Sequence, residues 1–208
     1  MNRLLLRYKD FLERSSENFL HATAKHDAEC KQGCFECCST GLFDITLLDA
    51  LYLQDAMTRI PVRARERITA TANQQLDMLE EQNLFSRKNP FLKSVRAINA
   101  LSRMSARLSC PALDEKGKCL IYNHRPHICR IFGPTIRGMR RKVWLNGCRH
   151  VSADIPVEDF GMADQYVEEI HMKHEFFRKM GVTSIPDMDT IMPAAIVLDL
   201  RKLLPDRI

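Results

Sequence analysis

Cysteine is the residue type through which this sequence could do chemistry: there are eight, and Cys30, Cys34, Cys37 and Cys38 fall within nine residues. Cys110, Cys119, Cys129 and Cys148 follow singly, with eight, nine and eighteen residues between them. Thiolate sulfur suits zinc, copper(I) and iron–sulfur clusters, and four thiolates satisfy either a tetrahedral zinc or a four-iron cluster. Zinc ribbons and fingers usually bring pairs of Cys-x2-Cys knuckles, and here Cys34 and Cys37 alone have that spacing. Single, widely spaced ligands lean towards an iron–sulfur cluster of the 4Fe–4S type, with zinc second. All eight cysteines are candidate metal ligands.

Adjacent side chains diverge, to opposite faces of an extended segment or by about 100° in a helix. Cys37 and Cys38 are therefore expected not to serve one ion together. Either one of them ligates and the other packs as a small hydrophobe, or they feed two sites. Eight thiols allow two four-thiolate sites as readily as one site with spare cysteines, so the first cluster reads as half of a shared site, or as a contributor to two. Cys30-x3-Cys34-x2-Cys37 also has the spacing by which radical S-adenosylmethionine enzymes hold a cluster, but those enzymes need a barrel of alternating strands and helices. Arg125, Arg130 and Arg149 flank the later cysteines and could offset thiolate charge.

The elements that must position these residues are mostly helical. Apolar Leu4, Leu5, Tyr8, Phe11, Leu12, Phe19 and Leu20 recur at helical steps, which predicts an amphipathic helix over 2–29. Thr46 with Asp49 three residues on reads as a capped helix start. Pro61 opens a helix over 61–82, and Pro90 opens another whose buried face includes Phe91, Leu92, Val95, Ile98, Leu101, Met104 and Leu108. Over 109–150 the periodicity fades and Pro and Gly break the chain repeatedly, with short strands expected at 119–122 and 142–145. Such a segment has little packing of its own, so a metal cross-link is a physical source of its order. Helices return over 157–180, closed by Gly181, and over 187–204. The expected fold is mainly α, a single domain over 1–208 in which helices frame an irregular cysteine-rich metal-binding core at about 30–150, with at most short strands.

Several other residues have an ordinary reading and a chemical one. His26 precedes Cys30 by four residues, and His127 and His150 lie beside Cys129 and Cys148 as spare ligands. His171 and His174 share a helix face with Glu175 but lack a third ligand, so a solvated face is the plainer reading. Arg137, Arg140, Arg141 and Lys142 with Trp144 could hold phosphate, and a solvated loop explains them as well. Tyr122 reads as a packed residue with its hydroxyl bonded nearby.

The composition is that of a globular chain: 208 residues, 45% hydrophobic and 27% charged. No apolar run reaches the roughly 20 residues a membrane span needs. The leucines near the start are interrupted by Arg7, Lys9 and Asp10, unlike a signal peptide, which places the protein in the cytoplasm. There, clustered cysteines serve metal or redox chemistry more often than disulfides. A net charge of +5 is mild and spread along the chain, so nucleic acid is not expected as a partner, whereas a protein partner stays open.

Cys110-Pro111-Ala112-Leu113, Cys119-Leu120-Ile121-Tyr122 and Arg125-Pro126-His127-Ile128-Cys129-Arg130, taken with the first cluster, carry a family resemblance. Over about 30–150 the chain resembles the CxxCxxCC family of zinc- or iron-chelating domains, the YkgJ-type cysteine cluster proteins. Its first spacing, Cys30-x3-Cys34, is one residue longer than the family name. The resemblance implies a bound metal or iron–sulfur cluster and a bacterial or archaeal cytoplasmic protein with a structural, redox or metal-handling role. One branch is similar to flagellin lysine N-methylases, which implies as an alternative an S-adenosylmethionine-using modifying enzyme. The glycine-rich strand–turn–helix that would cradle that cofactor is not evident. A further alternative is an interaction module in which zinc holds the fold.

Overall fold

The structure is a computed structural model that describes residues 2–28, 33–39, 44–92, 101, 108–138, 143–145, 147–148, 151, 153–179 and 189–203. In chain order its helices are α1 (Asn2–Lys25), α2 (Glu36–Ser39), α3 (Leu47–Met57), α4 (Val62–Glu81), α5 (His127–Ile131), α6 (Met162–Lys179) and α7 (Met192–Val197). The strands are β1 (Asp44–Thr46), β2 (Thr135–Arg137), β3 (Val143–Leu145), β4 (Asp154–Pro156) and β5 (Asp189–Ile191), and 3-10 turns cover Tyr122–His124 and Val157–Phe160. The fold is mainly α with two small sheets, β1–β5 and β3–β2–β4. The chain divides into two compact units, Met1–Cys34 with His127–Met180, and Phe35–Pro126 with Gly181–Ile208.

The first unit is built on α1. Leu4, Leu5, Tyr8, Phe11, Leu12, Phe19 and Ala22 are buried along one stripe, as the periodicity predicts, but Leu20 is 63% exposed and belongs to the opposite face. The helix ends at Lys25, short of the expected residue 29, and Asp27 follows in a left-handed conformation (φ 50°). Below its last turns Phe19 and Ala22 pack with Ala28, Ile131, Ile136, Ile155 and Phe160, so the small sheet and α5 share one core with α1. In that sheet β2 runs antiparallel to β3 and parallel to β4. The helix expected over 157–180 is interrupted: a 3-10 turn ends at Gly161 (φ 60°), and α6 starts after it. Phe160, on that turn, stacks on Phe19 at 5.5 Å, so the break serves to turn an aromatic ring into the core.

The second unit is built on α3, which is buried almost all round: Leu47, Leu48, Ala50, Leu51, Tyr52, Leu53, Ala56 and Met57 are all inside. Thr46 caps it as read from the sequence, its hydroxyl accepting the Asp49 N–H at 3.2 Å. Helix α4 buries the stripe Ile68, Ala72, Leu76 and Leu79, the last two packing with Ile191 and Ala194. Two expectations are corrected here. Pro90–Leu92 does not start a helix: Leu92 donates to the Asp189 carbonyl at 2.7 Å, and Thr190 Oγ1 donates to the Pro90 carbonyl at 2.8 Å. The helix expected over 187–204 is likewise strand β5, paired antiparallel with β1, followed by the short α7 with Pro193 in its first turn. Pairing outweighs helical periodicity at both places, with β5 at Pro90–Leu92 and with β1 at Asp189–Ile191. Val95, Ile98 and Met104 of the helix expected after Pro90 lie outside the described residues.

Candidate metal centre

The second unit holds Cys37, Cys38, Cys110 and Cys119. The one-turn helix α2 is closed by the N–H groups of Cys38 and Ser39, both donating to the Phe35 carbonyl. It half-buries both cysteines and sets their sulfurs 3.9 Å apart. The expected divergence of adjacent side chains is therefore corrected: the helical turn places the two Sγ atoms at the separation of a sulfur–sulfur hydrogen bond. The hydrogen bond with Cys38, nearby backbone N–H groups and Arg125 bring the Cys37 thiol down from 9.0 to about 7, against the opposing effect of burial.

Cys110 reaches the same place from the far end of a long loop. Its N–H donates to the Cys38 carbonyl at 2.5 Å. Helix α4 fixes the approach, with Gln75 Nε2 donating to the Ser109 carbonyl at 2.7 Å and Arg67 Nη2 to the Leu113 carbonyl at 3.0 Å. Cys119 follows a tight turn, not the strand expected over 119–122. Asp114 Oδ1 accepts the N–H groups of Lys116 and Lys118, and Leu113 and Cys119 form an isolated antiparallel bridge. Gly117 at its tip has φ +76°, and a Cβ there would come within 2.4 Å of the Phe35 ring. The turn therefore seats against the residue from which α2 starts.

Burial raises the Cys110 thiol to about 12 despite N–H groups of Ala112 and Leu113 directed at the sulfur. Cys119 is raised for the same reason, while Arg125 and the Ile121 N–H oppose the shift. Cys37 acts electrostatically on both of these thiols, as Cys119 does on Cys110. Arg125 is extended (φ −60°, ψ 140°), as expected before Pro126, and its guanidinium lies 3.8 Å from the centre of the Tyr122 ring. Tyr122 is 60% exposed, so the packed tyrosine read from the sequence is corrected to a surface platform for Arg125.

The first unit holds Cys34, Cys129 and Cys148, and Cys30 lies outside the described residues. Cys34 is exposed, directly after Gly33 (φ +77°), whereas Cys129 and Cys148 are half-buried. Cys148 is tied by its N–H to the Gly133 carbonyl at 2.6 Å, and Gly147 before it has room only for hydrogen, since a Cβ would meet the Thr135 N at 2.4 Å. Cys129 rides on α5, which His127 fastens to α1: Nε2 lies 2.7 Å from Ser15 Oγ, the ring meets Phe11 edge-on, and Nδ1 is 3.8 Å from Glu169 Oε2. Burial, assisted by Arg130, lowers His127 to about 4, so it is neutral at pH 7. His127 is therefore a core histidine rather than a spare ligand. Arg130 Nη1 in turn donates to Ser16 Oγ at 3.1 Å.

The remaining candidates take their ordinary roles. His26 pairs with Asp159, His171 and His174 are exposed on α6, and Arg137 pairs with Asp154. His150, Arg140, Arg141, Lys142 and Arg149 lie outside the described residues. Gly117 reads only as one of the chain breakers over 109–150; Ser15, Glu169 and Met192 were not singled out from the sequence. Ser15 alone carried a signal, as a polar residue midway between Phe11 and Phe19 on the buried stripe.

Among the described residues no three His, Cys, Asp or Glu side chains stand close enough to close on an ion as they are. The donor chemistry nevertheless fits a thiophilic metal. Two thiolates on one tetrahedral zinc at about 2.3 Å lie about 3.8 Å apart, close to the 3.9 Å of Cys37 and Cys38. Backbone N–H groups are directed at Cys37, Cys110 and Cys119 and would support their thiolates.

By class the protein is a helical scaffold carrying cysteines on short turns. The particular family follows from the sequence profile that matches residues 29–149, described as "Putative zinc- or iron-chelating domain". The chain belongs to this CxxCxxCC family. No curated protein and no solved structure matches it.

Proposed function

We propose that the protein chelates a metal ion through Cys37, Cys38, Cys110 and Cys119, with zinc as the ion the geometry supports best. The carrying observation is the Cys37–Cys38 sulfur pair at 3.9 Å, the spacing of two ligands on one tetrahedral ion. A four-iron cluster takes one thiolate per iron, which sets its ligands farther apart. Cys37 opens the site, because a thiol near 7 is about half ionised at neutral pH, and the ion then displaces protons from the buried Cys119 and Cys110. Cys30, Cys34, Cys129 and Cys148 form a second candidate set. A reducing compartment such as the cytoplasm suits a site that needs free thiols.

An iron–sulfur cluster is the second reading, favoured by the single, widely spaced later cysteines. Anaerobic purification followed by metal analysis and a visible spectrum separates the two. Colourless protein with stoichiometric zinc supports the first reading, and brown protein with iron and acid-labile sulfide replaces it with the second.

A further inference from the structure

Met192 opens α7 with only 3% of its surface exposed, and its Sδ lies 3.4 Å from Cys110 Sγ. The second unit therefore contains two sulfur pairs, Cys37 with Cys38 at the spacing that two ligands of one ion adopt, and Cys110 with Met192 in closer, hydrogen-bonded contact. A thioether is a neutral, soft donor: it adds little to zinc, which thiolate, imidazole and carboxylate hold well, and much to copper(I). The strand β5 aims it. Thr190 is locked to the Pro90 carbonyl and Asp189 to Leu92, so the chain enters α7 from a fixed register with Met192 directed at Cys110.

We propose that Met192 is a metal ligand of the second unit's cysteine set and biases that set towards a soft monovalent cation, copper(I). The inference rests on reading that set as a metal centre. Binding costs no redox step: the thiol hydrogen now directed from Cys110 to Met192 leaves as a proton, and both sulfurs turn to the ion.

The test uses the full chain, stripped of metal and handled anaerobically, with methionine methyls labelled with 13C. Copper(I) buffered by a competing chelator should shift the Met192 methyl resonance, identified by its loss in Met192→Leu, and zinc should leave it in place. Leucine keeps the volume, and the variant's copper(I)-to-zinc affinity ratio should fall about tenfold. Ile191→Val, a packing change without sulfur, should leave that ratio as it is. A Met192 methyl unmoved by copper(I), together with an unchanged ratio in Met192→Leu, overturns the thioether ligand. If copper(I) binding then still depends on Cys37 and Cys110, the metal centre itself stands. Binding of neither metal in a Cys37- and Cys110-dependent way overturns both.

Discussion

Cys110 and Cys119 in the second unit sit on turns whose backbone is hydrogen bonded to the structure around the sulfurs, whereas in the first unit the firm anchoring lies beneath the cysteines. There it is His127, clasped by Ser15, Phe11 and Glu169, that holds the short helix bearing Cys129. Cys34 of that unit is exposed. The second unit thus places Cys110 and Cys119 by backbone register and tunes them by burial; the first places Cys129 through one polar side chain in its core, beside a Cys148 held by its backbone. The same residue type in one family segment can be positioned by two different physical devices, and each fails in its own way.

The largest effect tests whether the two sets are separate. Replacing Cys37 and Cys110 by serine should remove the metal held by the second unit, while replacing Cys129 and Cys148 should spare it, as metal analysis of each purified variant will show. Loss of all metal from both variants breaks the comparison, because the sets would then be interdependent.

Next comes the histidine anchor. His127 is lowered from 6.5 to about 4 in the fold, so the unfolded chain takes up its proton first as pH falls. The stabilisation is complete above 6.5, declines below it and is lost as pH falls through about 4, a change of about 3 kcal/mol. Urea unfolding of metal-stripped protein at pH 7 and pH 4 should show this loss, and His127→Leu should flatten it. The counterpart in the second unit is Gly117→Ala, which combines a φ of +76° with a collision against Phe35. It should cost about 2 kcal/mol in the same assay and loosen Cys119. Smallest is Thr46→Ala, which removes the α3 cap and should cost about 1 kcal/mol without changing metal content.

Much of this framework was legible in the sequence because it depends on local rules. The stripe of α1, the Thr46 cap and α4 follow from periodicity and capping alone. Expectations failed where a partner distant in sequence decided the conformation. Pro90 and Leu92 answer to β5, and the residues before α7 answer to β1. The helix expected over 157–180 breaks at Gly161, and only the packing of Phe160 on Phe19 explains why a break is useful. In the site, residue type identified the cysteines, yet the approach of Cys37 to Cys38 depends on a single helical turn too short to announce itself by periodicity. Met192 drew no reading from the sequence, because the sulfur facing it comes from 82 residues away.

The hydrogen bond from Cys110 to the Cys38 carbonyl closes a loop that contains 71 residues, all of α3 and α4 among them. Closing so long a loop costs only slightly more than closing one half its length, since the entropy grows with the logarithm of length. Helices α3 and α4 bury their apolar faces inside the second unit, α4 against Ile191 and Ala194 from beyond that loop. An ion held there would therefore arrive last, as a clasp on a chain already gathered, and its release would open the ends of the loop while the helices between them stay packed.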